Sequence, residues 1–240
     1  MKARLLRTND HELLFARAVD AFFSMIRQVQ DDTVIVAIPG GRSIMPFLKE
    51  LIAKADDLEK DIWARIEIFM LDERVVPLDH EESNFGAISE HLSQLVSAGK
   101  IVVEQLHPFI ANFELKDFGT KAYAAELQEF GGKYHVALLG VGEDAHVGAI
   151  FPHHHSLTDE SPFFITMEDS PKPPGRRMSS SRSLISCSDR AMAFFIGEGK
   201  RKALQGLLDC DVKTEQCPVK LINSVKESYI ITDLVGSLLD

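Results

Sequence analysis

From Asn9 to about Gln30 the apolar residues Leu14, Phe22, Ile26 and Val29 recur at spacings of three, four and eight behind an Asn-Asp pair. That is the spacing of a capped amphipathic helix with one buried face. The next run differs in kind. "TVIVAI" (33–38) is β-branched and apolar, and it ends in Pro-Gly-Gly before "SIMPFLKELIAKA" returns to helical spacing. A strand, a glycine loop and a helix are predicted in that order. The unit recurs with "IEIFML" as strand, "SNFGAISEHLSQLVSAG" as helix with Phe85, Ile88, Leu92 and Leu95 in phase, and "YHVALLGVG" as strand. "RAMAFFIGEG", "KRKALQGLLDC" and "ESYIITDL" then give strand, helix and strand. Strands that alternate with helices and are apolar throughout predict an α/β fold, a mainly parallel sheet with helices on both faces. Residues 1–240 are expected to form one domain. Only 159–183, "DESPFFITMEDSPKPPGRRMSSSRS", breaks the rhythm. Rich in Pro, Ser and Arg, it reads as a long surface excursion of a length that is often functional, and the sequence leaves open whether it closes over a ligand.

Composition narrows the partners. At 240 residues and 45% hydrophobic content the chain can bury a core of ordinary size. Its longest apolar runs, "VALLGV" and "AMAFFI", fall far short of the roughly 20 residues a spanning helix needs, which predicts a soluble protein with no membrane partner. The N-terminus turns polar before an apolar signal region develops, so a cytoplasmic location is expected. A formal charge of -10 argues against nucleic acid. An anionic small molecule stays possible, provided a local basic cluster works against the overall field. Cys187, Cys210 and Cys217 form no CxxC and read as reduced packing thiols. Monomer and homodimer are both compatible with the sequence.

Ligands of open parallel sheets gather beyond the carboxyl ends of the strands. The segments there are Gly40-Gly41-Arg42-Ser43, Asp72-Glu73-Arg74, Gly142-Glu143-Asp144-Ala145-His146 and Gly197-Glu198-Gly199-Lys200. Gly40, Gly41, Arg42 and Ser43 stand at a helix N-terminus, where free N–H groups favour a phosphate; a plain tight turn is the competing explanation. Asp72 and Arg74 lie at a strand end, Arg74 well placed to fork onto phosphate, whereas Ser83 or Asn84 fits a helix cap better. Asp144 and His146 are the acid-base pair: a neutral imidazole accepts a proton from water, and the carboxylate orients the ring. His135 reads as a strand residue. His153, His154 and His155 read as an exposed cluster able to chelate metal adventitiously, with no acid partner at suitable spacing. Of the late basic residues Lys172, Arg176, Arg177, Lys200 and Lys202, Arg177 and Lys200 are chosen for the anion field.

The segment Asp72 to Asn84 matches the DERxVPxxHxxSN signature of the 6-phosphogluconolactonase family at every fixed position. Asp144 to Pro152 resembles that family's Asp-Gly-His-Thr-Ala-Ser-Leu-Phe-Pro motif, Pro39-Gly40-Gly41 its Ser-Gly-Gly phosphate loop, Pro171 to Arg177 its Pro-Lys-Pro-Pro-x-x-Arg segment, and Gly197 to Lys200 its Gly-x-x-Lys turn. The resemblance spans nearly the whole chain and implies a Rossmann-like fold shared with the glucosamine-6-phosphate deaminases. It also implies hydrolysis of 6-phosphogluconolactone to 6-phosphogluconate in the oxidative pentose phosphate pathway, without metal or cofactor. His146 would then be the base, with phosphate held by the Gly-Gly loop, Arg74, Arg177 and Lys200.

The chain departs from the pattern in places. Pro39 replaces a serine, Ile44 a proline, Val147 and Ala149 hydroxyl residues, and Ala145 a glycine whose loss costs about 1 kcal/mol if the backbone requires positive φ. Two rivals follow. The deaminases carry Asn-Glu-Pro where this chain reads Ile150-Phe151-Pro152, so the acid for opening an amino sugar is missing. A non-catalytic sugar-phosphate sensor is the other.

Overall fold

The computed structural model describes residues 3–236. Its strands are β1 (Arg4–Arg7), β2 (Val34–Ile38), β3 (Ile66–Met70), β4 (Asp72–Arg74), β5 (Leu106–His107), β6 (Val136–Gly140), β7 (Phe164–Met167), β8 (Arg177–Ser180), β9 (Arg190–Phe195) and β10 (Glu227–Thr232). The helices are α1 (His11–Arg27), α2 (Met45–Ala53), α3 (Lys60–Trp63), α4 (Asn84–Ser97), α5 (Thr120–Glu129), α6 (Arg182–Ser186) and α7 (Arg201–Leu208). Seven strands pair in parallel in the order β1-β10-β9-β6-β2-β3-β5, and β4-β8-β7 form a smaller antiparallel sheet. No helix among the described residues is long and apolar enough to cross a membrane.

The large sheet follows from burial. All five side chains of β2 and four of the five in β6 are buried, so these central strands are apolar throughout instead of alternating. Removing each Val, Ile or Leu from water is worth about 1.5–3 kcal/mol. Helix α1 begins where Asp10 Oδ1 accepts from the Leu13 N–H at 3.0 Å, and it buries Leu14, Ala18, Phe22 and Ile26. Phe22 meets Phe47 of α2 edge to face at 5.6 Å, and Phe47 meets Phe194 of β9 at 5.2 Å. Helix, helix and sheet thus share one aromatic seam.

The chain runs from β2 outward to β3 and β5, then returns to β6 and continues through β9 and β10 in the opposite direction. The order therefore reverses between β2 and β6, where loops diverge and open a crevice at the carboxyl ends of the strands.

Two expectations need correction, and three elements were not foreseen. The segment 159–183 is no surface excursion: it supplies β7 and β8, all four residues of β8 are buried, and Ser180 bonds the Leu71 carbonyl through its N–H at 2.8 Å and its hydroxyl at 2.7 Å. That answers the question the sequence left open, since a segment so tied cannot swing over a ligand; only the turn between its strands projects. Asp72–Arg74, expected as a connection, is a strand of that same sheet. Finally, β1, β5 and α5 had no signal. β1 is a half-exposed edge, β5 has two residues, and α5 buries only Thr120, Tyr123 and Leu127.

Candidate active site

A cleft of about 420 Å³ opens at the reversal between β2 and β6. Gly40, Gly41, Arg42 and Ser43 line it from the end of β2, Gly142, Glu143 and His146 from the end of β6, and Gly197, Gly199 and Lys200 from the end of β9. A larger hollow of about 710 Å³ beside Phe109, Ile110 and Phe113 carries two acids and no base or cation, so the chemistry concentrates in the smaller one.

The loop after β6 is a closed turn. Gly142 N–H donates to the His146 carbonyl at 2.9 Å and Ala145 N–H to the Gly142 carbonyl at 3.0 Å. Closure brings the His146 and Asp144 side chains together, with Nδ1 and Oδ1 2.5 Å apart. Because Nδ1–H donates to the carboxylate, the neutral ring keeps its lone pair on Nε2. The ring lies against Phe151, centroids 4.8 Å apart. Gly142 makes the arrangement possible, since a methyl there would overlap His146 Nδ1 and Asp144 Oδ1. Ala145 does adopt the left-handed conformation, at φ 67°. Its methyl is buried, which offsets the strain by up to about 0.8 kcal/mol.

Lys172, set aside in favour of Arg177 on sequence, reaches the pair. Its Nζ is 3.0 Å from Asp144 Oδ1. Burial works to raise the Asp144 carboxyl, but hydrogen bonds and charge from His146 and Lys172 outweigh it and hold the group well below the usual carboxylate range.

The cations divide into two sets. Among the described residues Arg42 and Lys200 have no side-chain hydrogen bond or ion-pair partner, and both face the cleft. Burial draws the Lys200 ammonium below its ordinary range, opposed by Glu143. Arg74 and Arg177 do not line the cleft. Arg177 is buried and donates Nη2 to the Pro173 carbonyl at 2.9 Å and the Lys172 carbonyl at 3.2 Å, and Nε to the Pro174 carbonyl at 3.2 Å. It thereby braces the turn that carries Lys172. Arg74 gives Nη1 to the Glu82 carbonyl at 2.6 Å. Asp72 is buried behind His146, where desolvation raises its carboxyl against the opposing fields of Arg177 and Arg74. It accepts from Asn84 Nδ2 at 3.1 Å.

The acid next door has a structural task. Glu73 accepts from the backbone N–H groups of Arg74, Asn84 and Phe85 at 2.6–2.7 Å. It closes the N-terminus of α4 alongside Ser83, whose Oγ accepts from Gly86 N–H at 2.9 Å. Desolvation pushes the Glu73 carboxyl up, and those three N–H bonds pull against it. His135 is likewise structural: its Nδ1 accepts from the Ile35 N–H at 2.9 Å, before β6 and away from the cleft.

The family model described as "Glucosamine-6-phosphate isomerases/6-phosphogluconolactonase" matches residues 9–231. The 6-phosphogluconolactonase of Borreliella burgdorferi is 26% identical over 221 residues, 90% of this chain and 91% of that protein. That of Mycobacterium tuberculosis is 29% identical over 182 residues, 71% of this chain and 70% of that protein. A crystal structure of 6-phosphogluconolactonase from Thermotoga maritima superposes with a TM-score of 0.79 at 23% identity, covering 97% of this chain and 100% of that one. The last likeness is one of fold.

Proposed function

Since the chain belongs to the glucosamine-6-phosphate isomerase and 6-phosphogluconolactonase family, we propose that it is a lactonase, hydrolysing 6-phosphogluconolactone to 6-phosphogluconate. One observation carries the reading: an imidazole oriented by a carboxylate shares a cleft with two uncommitted cations and a glycine loop.

The lactone is an activated ester. It needs a positioned base, an anchor for its phosphate and stabilisation of the oxyanion, and no covalent nucleophile. His146 takes a proton from water through Nε2 while the water oxygen attacks the lactone carbonyl. Asp144 stabilises the imidazolium, and Lys172 keeps that carboxylate ionised. Collapse of the tetrahedral intermediate breaks the acyl bond to the ring oxygen, which receives the proton back from His146. Free N–H groups at Gly40 and Gly41, with Ser43, Arg42 and Lys200, hold the phosphate. Arg74, Arg177 and Asp72 act behind this surface by fixing the Lys172 turn and the β4 strand.

The test is a pH-stat assay with freshly generated 6-phosphogluconolactone, corrected for spontaneous hydrolysis and run beside glucosamine-6-phosphate. Accelerated lactone opening with no ammonia release from the amino sugar is expected. Binding of 6-phosphogluconate without acceleration would select the sensor instead, and turnover of glucosamine-6-phosphate would select the deaminase.

A further inference from the structure

His153, His154 and His155 follow the site motif directly, and the fold supplies the acid that sequence spacing did not. Asp169, fourteen residues beyond His155, sits at the start of the turn between β7 and β8. His155 Nε2 lies 2.9 Å from Asp169 Oδ1, and His154 Nε2 lies 3.5 Å from the same oxygen. The two rings stand 4.1 Å apart at 37°, and one ligand atom from each of the three residues falls within 4.8 Å of the others.

We propose that His154, His155 and Asp169 form a binding site for a divalent transition metal such as Zn2+. Two imidazoles and one carboxylate suit zinc, cobalt or nickel, whereas calcium and magnesium prefer all-oxygen shells. The spacing is close to what such an ion demands. Tetrahedral bonds of about 2.0–2.1 Å set ligand atoms about 3.3 Å apart, so the 3.5 Å pair fits, the 2.9 Å pair opens by a few tenths of an ångström, and the two imidazole nitrogens, within 4.8 Å of each other, draw together.

A second observation points to a ligand. His154 Nε2 is buried and lacks a hydrogen-bond partner among the described residues, although it is aimed at the cluster. The ring is held by other contacts: Nδ1 lies 3.0 Å from Ser156 Oγ and accepts from the Ser156 N–H at 3.2 Å, and Phe151 packs on it at 5.9 Å. Metal ligation through Nε2 moves the proton to Nδ1, where Ser156 Oγ accepts it. The 3.2 Å bond is lost and the 3.0 Å bond is reversed. Ser156 thus fills the outer position that fixes the tautomer of a ligating histidine. A water or substrate oxygen completes the fourth position.

The ion would fasten two segments that flank the site. Asp169 opens the turn whose Lys172 reaches Asp144, and that turn is closed by the Ser170 N–H on the Gly175 carbonyl at 3.0 Å. Metal binding then slows opening of residues 168–175.

Titration calorimetry with Zn2+ in a non-chelating buffer reads the site without substrate, so its outcome is separate from that of the lactonase assay. The wild-type protein is expected to take up one ion in a saturable step that His155→Ala and Asp169→Asn each weaken more than about tenfold, the scale on which even outer partners matter. His153→Ala should leave the step unchanged. Co2+ should give an intense visible band in wild type that both ligand variants lose, and hydrogen exchange in 168–175 should slow with Zn2+ in wild type alone. Absence of saturable uptake, or uptake equal in wild type, His155→Ala and Asp169→Asn, would overturn the proposal.

Discussion

His146 Nδ1 and Asp144 Oδ1 stand 2.5 Å apart over the bare Cα of Gly142. The turn spends a glycine to bring an acid and a base two residues apart into contact. Side chains two apart on a strand would share one face without converging; the bonds Gly142 to His146 and Ala145 to Gly142 fold the intervening residues out of the way.

Gly142→Ala therefore tests the pair without touching either member. The new methyl forces both side chains to shift, and a displacement of about 1 Å at a reacting group can cost 10²-fold. We expect kcat to fall by roughly that factor with the circular dichroism spectrum unchanged. Wild-type kcat would show that the pair's position does not matter.

Lys172→Met removes the ammonium from Asp144. The pair is partly exposed, so its coupling is worth at most about 1 kcal/mol and kcat/KM should drop by up to about fivefold. Lys172→Arg, which keeps the charge, should recover part of the loss. Equal rates for Met and wild type would remove Lys172 from the account.

The division of cations gives opposite outcomes for residues of like charge. Arg42→Ala and Lys200→Ala should each weaken 6-phosphogluconate binding about tenfold or more, since a charged partner of the phosphate is lost. Arg177→Met should instead lower the melting temperature and loosen residues 172–174, because it strands three carbonyls. Calorimetry and thermal melts distinguish the two. Tight product binding in both Arg42→Ala and Lys200→Ala would move the phosphate elsewhere.

At the sheet edge, His107 donates Nε2 to Glu67 at 2.9 Å and Nδ1 to Glu126 at 2.6 Å, which requires both ring nitrogens to be protonated. Burial alone would lower its pKa, but the hydrogen bonds and charges of the two acids raise it above the ordinary 6.5. A raised folded-state pKa contributes stability that is complete below 6.5 and is lost as pH climbs through the folded value. Urea midpoints should fall from about pH 6 to pH 8, and His107→Gln should flatten that slope. A slope that survives the substitution would place its origin in another group.

Much of this was legible in the chain because burial on both faces leaves no alternation to misread. β2, β6 and β9 announced themselves as apolar runs, and the glycine turns that follow them marked the rim. Asp144 and His146 were legible for the same reason, as polar residues at the mouth of a buried strand. The choice between Lys172 and Arg177 was not. Which one reaches the site depends on a six-residue turn closing between Ser170 and Gly175, and the guanidinium, with its fork of donors, is consumed by the carbonyls of that turn. Glu73 read as one acid among several because its partners are backbone N–H groups, which carry no sequence signal. Asp169 escaped for a different reason: its nearness to His154 and His155 is created by β7 and β8, whose antiparallel pairing lay inside a stretch that composition alone described as loop.

The most direct measurement is the lactonase rate of His146→Asn, beside calorimetric binding of 6-phosphogluconate to the same variant. General acid-base catalysis contributes about 10²–10⁴-fold, so kcat should fall within that range while product affinity stays within about twofold. Undiminished kcat in His146→Asn would contradict the account, whatever the affinity.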